Sequence, residues 1–85
     1  MKQNAIIITQ GYLATPRAKT AHGLIRDTSK YNILAVIDDQ HAGQDAGEVV
    51  DGQRRSIPVF DKLSAFLETS SETAAVCLVG VAGKG

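Results

Sequence analysis

Apolar positions along the chain fall into four short blocks separated by polar and glycine-rich stretches: AIIIT at 5–9, ILAVI at 33–37, IPVF at 57–60 and AAVCLVGV at 74–81. β-branched and aliphatic runs without polar alternation suit strands covered on both faces. Pro58 cannot donate to a ladder, which sets the third block at a sheet edge. Between the first two blocks, Ala18, Ala21, Leu24 and Ile25 recur at helical spacing behind Thr15 and Pro16, a threonine N-cap followed by proline at the first helical position. That pattern predicts a helix ending at Arg26 or Asp27, with Arg17, Lys19 and Arg26 toward solvent. Gly23 lowers its propensity by about 1 kcal/mol relative to alanine, so the helix is weak there or packs closely against a neighbour. A polar connection over 27–30 follows. Leu63, Phe66 and Leu67 repeat the i, i+3, i+4 rule behind Asp61, which reads as the cap of a second helix. A polar turn over 69–73 leads into the last block.

The order strand, helix, strand, loop, strand, helix, strand implies parallel pairing through right-handed crossovers and a strand order 3-2-1-4. The predicted fold is α/β, a three-layer Rossmann-like parallel sheet amounting to half of a doubly wound fold. Residues 1–85 read as a single domain, and because no helix follows the fourth strand it is expected to be a fragment or a domain whose partner chain or second domain is missing. The uncovered face beside that strand favours self-association or docking of a further domain. The stretch 31–60 is the centre of this organisation. Its strand ends on Asp38 and Asp39 and is followed by a loop carrying Gly43, Gly47 and Gly52, and ligands in open α/β sheets collect beyond such strand ends. The loop over 40–55 has few large apolar groups, which predicts one helical turn at 46–50 and high mobility.

Nine basic and nine acidic residues among 85 leave no net charge to draw the chain to nucleic acid or an anionic membrane. Two Phe, two Tyr and no Trp leave little for stacking bases. No apolar run is long enough to span a bilayer, and the start of the chain lacks the apolar core of a signal peptide. The single cysteine, Cys77, lies in an apolar block and is expected to be buried in a reducing compartment. These features predict a cytoplasmic location.

Gly11 and Tyr12 open the loop where a dinucleotide fold places phosphate, and Thr15, Arg17 and Lys19 would add a hydroxyl and two positive charges at a helix N-terminus. The G-x-G-x-x-G fingerprint is absent and Pro16 removes one donor, so a capped helix with solvated basic residues is the competing reading. Asp38 stands at the strand end where the pattern places a ribose-binding acid, though further along than the usual spacing of about 20 residues. Either Asp38 or Asp39 could instead cap the next loop. His41, with Gly43 in the same loop, is a candidate ligand contact or a solvated side chain. The candidate cofactor-binding set is therefore Gly11, Tyr12, Thr15, Arg17, Asp38, His41 and Gly43, with a nucleotide or acetyl-CoA as the ligand class and no metal. His22, His41, Asp38, Asp39 and Asp45 show no zinc-ligand spacing, and Gly83, Lys84 and Gly85 lack the P-loop spacing. No nucleophile stands beside a base, so the isolated chain is expected to be catalytically inactive.

The runs TQGYLATPRAKTAHGLIR, LAVIDDQHAGQDAGEVVDG, SIPVF and VGVAGKG resemble the amino-terminal Rossmann-like domain of the DgcN-like family, which contains D-glutamate N-acetyltransferases. HAGQDAGEVVDG is the most specific part. The resemblance implies a CoA- or nucleotide-type ligand, an N-acyltransferase acting on a D-amino acid, and a P-loop-type domain following this one. The QG turn, glycine loop and PVF strand are also similar in layout to the CoA-binding domain of the succinyl-CoA synthetase α subunit. The residues leave two other classes open: half of an NAD-dependent oxidoreductase, against which the missing glycine fingerprint speaks, and a scaffold domain that docks the P-loop-type domain.

Overall fold

The computed structural model describes residues 3–26, 30–69, 74 and 76–80. The expected connection at 27–29, most of the turn at 70–73, and the segment 81–85 with Lys84 lie outside the described residues. The chain runs through β1 (Gln3–Ile8), a 3-10 turn (Pro16–Ala18), α1 (Lys19–Arg26), β2 (Tyr31–Ile37), α2 (Ala46–Asp51), β3 (Val59–Phe60), α3 (Leu63–Thr69) and β4 (Val76–Val79). The four strands form one parallel sheet in the order β3-β2-β1-β4, the predicted Rossmann-like layout. Ile7 at the centre aligns with Val36 on one side and Leu78 on the other.

One face of the sheet packs Ile7, Val36 and Val59 against Ala18, Ala21 and Ile25 of the first helical segment and Ala46 of α2. Small residues on α1 let it lie close to the strands. The opposite face packs Ile6, Ala35 and Ile37 against Phe66 of α3, with the Phe60 and Phe66 rings edge to face at 5.7 Å. Right-handed crossovers explain this division, since β1 to β2 to β3 moves one way along the sheet and β3 to β4 moves back.

Several local expectations are corrected. The first helix opens as a 3-10 turn behind Thr15, whose hydroxyl takes the Arg17 amide as an N-cap does. Asp61 stands one position too far out to be the residue next to α3, which starts at Leu63. Gly23 meets nothing within 4 Å, so it weakens α1 without a packing reason. β4 alternates between half-buried and exposed rather than being covered on both faces, and Cys77 is exposed. The cause is its position at the sheet edge, on the face where α3 leaves it open among the described residues. No helix among the described residues is long and apolar enough to cross a membrane.

The 40–55 loop is the largest departure from expectation, because it is anchored. Residues 43–46 run antiparallel along the outer edge of β3: Gly43 N–H donates to Val59 O at 2.9 Å, Val59 N–H to Gln44 O at 3.0 Å and Ala46 N–H to Ile57 O at 2.8 Å. The edge left exposed by this short strand, which follows Pro58, is thereby covered. Asp45 holds the arrangement, its carboxylate accepting the amides of Glu48, Arg55 and Ile57 at 3.1, 2.9 and 2.8 Å. Burial would raise the Asp45 carboxyl, yet these amides and the nearby Arg54 charge hold it below the ordinary carboxylate value. Gly47 lies so close to the returning chain that a Cβ there would run into the Gln53 carbonyl and sit 2.7 Å from Arg55 Cγ. α2 then ends on Gly52 in the left-handed region, with φ of 79° and its N–H on Glu48 O.

Candidate functional site at the carboxyl ends of β1 and β2

β1 runs into Thr9, and a tight turn follows in which Tyr12 N–H donates to Thr9 O at 2.9 Å. Its two central residues, Gln10 and Gly11, have φ of 53° and 89°, the positive pair a type I′ turn requires. A Cβ at Gly11 would also lie 3.0 Å from Asp39 Oδ1 and 3.1 Å from Gln40 Cγ. This turn therefore rests directly on the turn that follows β2, and the ends of the two strands lie side by side.

Asp38 ties the two turns together. It is 1% exposed, and its Oδ2 accepts the Thr9 hydroxyl at 2.5 Å and the Leu13 amide at 2.9 Å. Its Oδ1 accepts the Gln40 amide at 3.1 Å and His41 Nδ1 at 2.9 Å. Burial alone would push the carboxyl up, but the bonds from Thr9, His41, Leu13 and Gln40 outweigh it and hold the group below its ordinary value. The carboxylate is ionised and saturated by internal donors. It is buried between the two turns, and its four hydrogen-bond partners all come from them.

The structure joins Tyr12, Thr15 and Arg17 in a second cluster. The Thr15 hydroxyl donates to Tyr12 O at 2.8 Å, and the Arg17 guanidinium lies over the Tyr12 ring, 4.6 Å from its centroid. Thr15 occupies the Arg17 and Ala18 amides, so the start of the helix has few N–H groups left for an anion. The exposed guanidinium remains as the cationic element. His22 braces the loop from behind, Nε2 donating to Leu13 O at 2.5 Å. Gly11, Asp38 and His41 are thus brought together, Tyr12, Thr15 and Arg17 form the neighbouring cluster, and Gly43 is drawn away to pair with β3.

Thr9 and Leu13 are partners of Asp38 that the sequence pattern does not single out. A hydroxyl placed directly after an apolar strand was the available signal for Thr9. The Leu13 contribution is a backbone amide, for which sequence offers none. Among the described residues no three His, Cys, Asp or Glu side chains are grouped to hold a metal ion. Two depressions lie elsewhere. One of about 270 Å³ is lined by Gly43, Gln44, Asp45, Arg54, Ser56 and Pro58. The other, of about 250 Å³, is apolar and lies between α3 and β4.

Helices on both faces of a parallel 3-2-1-4 sheet, with the loops after β1 and β2 latched by a buried acid, define a Rossmann-like α/β domain. The chain is similar over 99% of its length to the crystal structure of a DUF1611 family protein from Anabaena variabilis, with a TM-score of 0.79 and 31% sequence identity. It spans only 23% of that protein's chain. No family model and no curated protein matches it. The neighbour is consistent with the DgcN-like resemblance carried by the sequence motifs.

Proposed function

We propose that the crevice at the carboxyl ends of β1 and β2 binds a nucleotide- or CoA-type ligand, the domain serving as the binding module of a DgcN-like N-acyltransferase that acts on a D-amino acid such as D-glutamate. The observation that carries this reading is the latch in which Asp38 holds Thr9, Leu13, Gln40 and His41 around the strand ends. Such a device presets loop geometry where this fold places its ligands. Arg17, held over Tyr12, supplies a cation for a phosphate. A dinucleotide held in the usual way fits poorly, because Asp38 is buried and the glycine fingerprint is absent; this disfavours the NAD-dependent alternative. Among the described residues no nucleophile stands beside an activating base, and in this reading acyl transfer draws on residues of a further domain. Calorimetric titration with ADP, acetyl-CoA and NAD is the test. Saturable binding of ADP or acetyl-CoA, weakened severalfold by Arg17→Ala, is expected; absence of binding to both contradicts the reading.

A docking role is favoured by a separate observation, the apolar depression lined by Ile6, Leu63, Phe66, Leu67 and Cys77. Leu67 is 63% exposed and Val79 65%, a poor arrangement for a face left in water. In this second reading a P-loop-type domain or a second copy of the chain covers that face. Thiol labelling of Cys77 that slows as protein concentration rises supports self-association, and a rate independent of concentration opposes it.

A further inference from the structure

Where a Rossmann-like fold reads a ribose, an acid at the end of the second strand accepts its hydroxyls. Here the carboxylate in that place is committed to internal donors, and His41 is the group it presents outward. An ionised carboxylate only accepts, so the 2.9 Å contact between Asp38 Oδ1 and His41 Nδ1 puts the proton on Nδ1. In the neutral ring Nε2 is then an acceptor, and it has no partner among the described residues. The side chain is 20% exposed and belongs to the turn on which Gly11 rests. Pinning Nδ1 also fixes the direction of Nε2.

We propose that His41 Nε2 takes the place of the strand-end carboxylate as the hydrogen-bond acceptor for a ribose hydroxyl, with Asp38 as the positioning residue that sets its tautomer. The proposal rests on the reading of the crevice as a nucleotide-type site. The ligand hydroxyl donates and Nε2 accepts, with no proton transferred. With the imidazole between them, the Asp38 charge stands further from a phosphate on the adjacent ribose carbon than a carboxylate in direct contact would, and internal donors offset it. The contact therefore suits phosphorylated ribose, as in CoA-type ligands, as well as plain ribose.

The test compares ADP with 2′,3′-dideoxy-ADP by calorimetry, and reads the His41 tautomer from ring 15N shifts at a pH where the ring is neutral. ADP is expected to bind about tenfold more tightly than the dideoxy compound, the scale of one well-made hydrogen bond, with the proton on Nδ1. In His41→Asn the side-chain amide keeps a donor toward Asp38 and removes the acceptor at Nε2. It should lose the discrimination while melting within a few degrees of the wild type. Equal affinity for the two nucleotides, an Nε2–H tautomer, or undiminished ADP binding in a folded His41→Asn chain overturns the proposal. The first two readings need no variant, so a chain that failed to fold would not shield it. Failure to bind ADP at all overturns the nucleotide reading itself, a result distinct from binding that ignores His41.

Discussion

The Asp38 carboxylate accepts the backbone amide of Leu13, 25 positions earlier in the chain, at 2.9 Å. This bond fastens the loop after the first strand to the end of the second. Asp38→Asn tests its importance sharply. Whichever way the amide turns, its NH2 group faces either the buried Leu13 amide or the half-buried Gln40 amide, and one backbone donor loses its acceptor. A loss of about 1–3 kcal/mol is expected, read as a lower denaturation midpoint at unchanged slope. A change within about 0.3 kcal/mol would show that the latch is incidental.

Acid stability follows from the same carboxylates. Asp38 and Asp45 both sit below the ordinary value of 3.8 in the folded chain. The unfolded chain therefore binds more protons as the pH falls past that value, and stability rises with pH through this window. Their contribution is complete above the unfolded-state value and is lost as the pH drops through the lowered native values. Thr9→Val removes the strongest of the bonds that lower Asp38 and should move the acid-unfolding midpoint upward. A midpoint that moves down, or stability that does not fall as the pH drops below 3.8, would contradict this assignment.

Asp45 is expected to be as critical as any core residue, although it lies in a loop. Asp45→Ala strands the Glu48, Arg55 and Ile57 amides and uncaps α2, for a loss of about 2–4 kcal/mol. Amide exchange at residues 43–46 should be slow in the wild type and fast in the variant. Exchange already fast in the wild type would mean that the cover on the edge of β3 opens readily.

Two glycines in helices should respond oppositely to alanine. Gly23→Ala adds a methyl group to open space and should stabilise the chain by about 0.5–1 kcal/mol through helix propensity. Gly47→Ala drives a methyl group into the Gln53 carbonyl and should destabilise despite the same propensity gain. Thermal melts of the two variants check the contrast, and a shared sign would contradict the packing around Gly47.

Much of the architecture was legible because it is written locally. Runs such as AIIIT and ILAVI are strands whatever surrounds them, and their order with the intervening helices left one sensible topology. The anchoring of the 40–55 loop was not legible, because it depends on one side chain, Asp45, meeting three amides that sequence composition does not mark. Asp38 posed a related difficulty. An aspartate at a strand end looks the same whether it faces a ligand or turns inward, and the Thr9 hydroxyl and Leu13 amide that decide the matter come from the preceding loop. Cys77 misled for the opposite reason, since an apolar neighbourhood in sequence does not guarantee cover on a sheet edge.

The central claim is that the strand-end crevice is a ligand site, and amide chemical-shift mapping during titration with acetyl-CoA and with ADP tests it most directly. The account expects saturable shifts from at least one of them, concentrated at Gly11, Tyr12, Arg17, Gln40 and His41, with Leu67 and Cys77 on the opposite face unmoved. Shifts confined to the α3 face, or none that saturate with either compound, would contradict it.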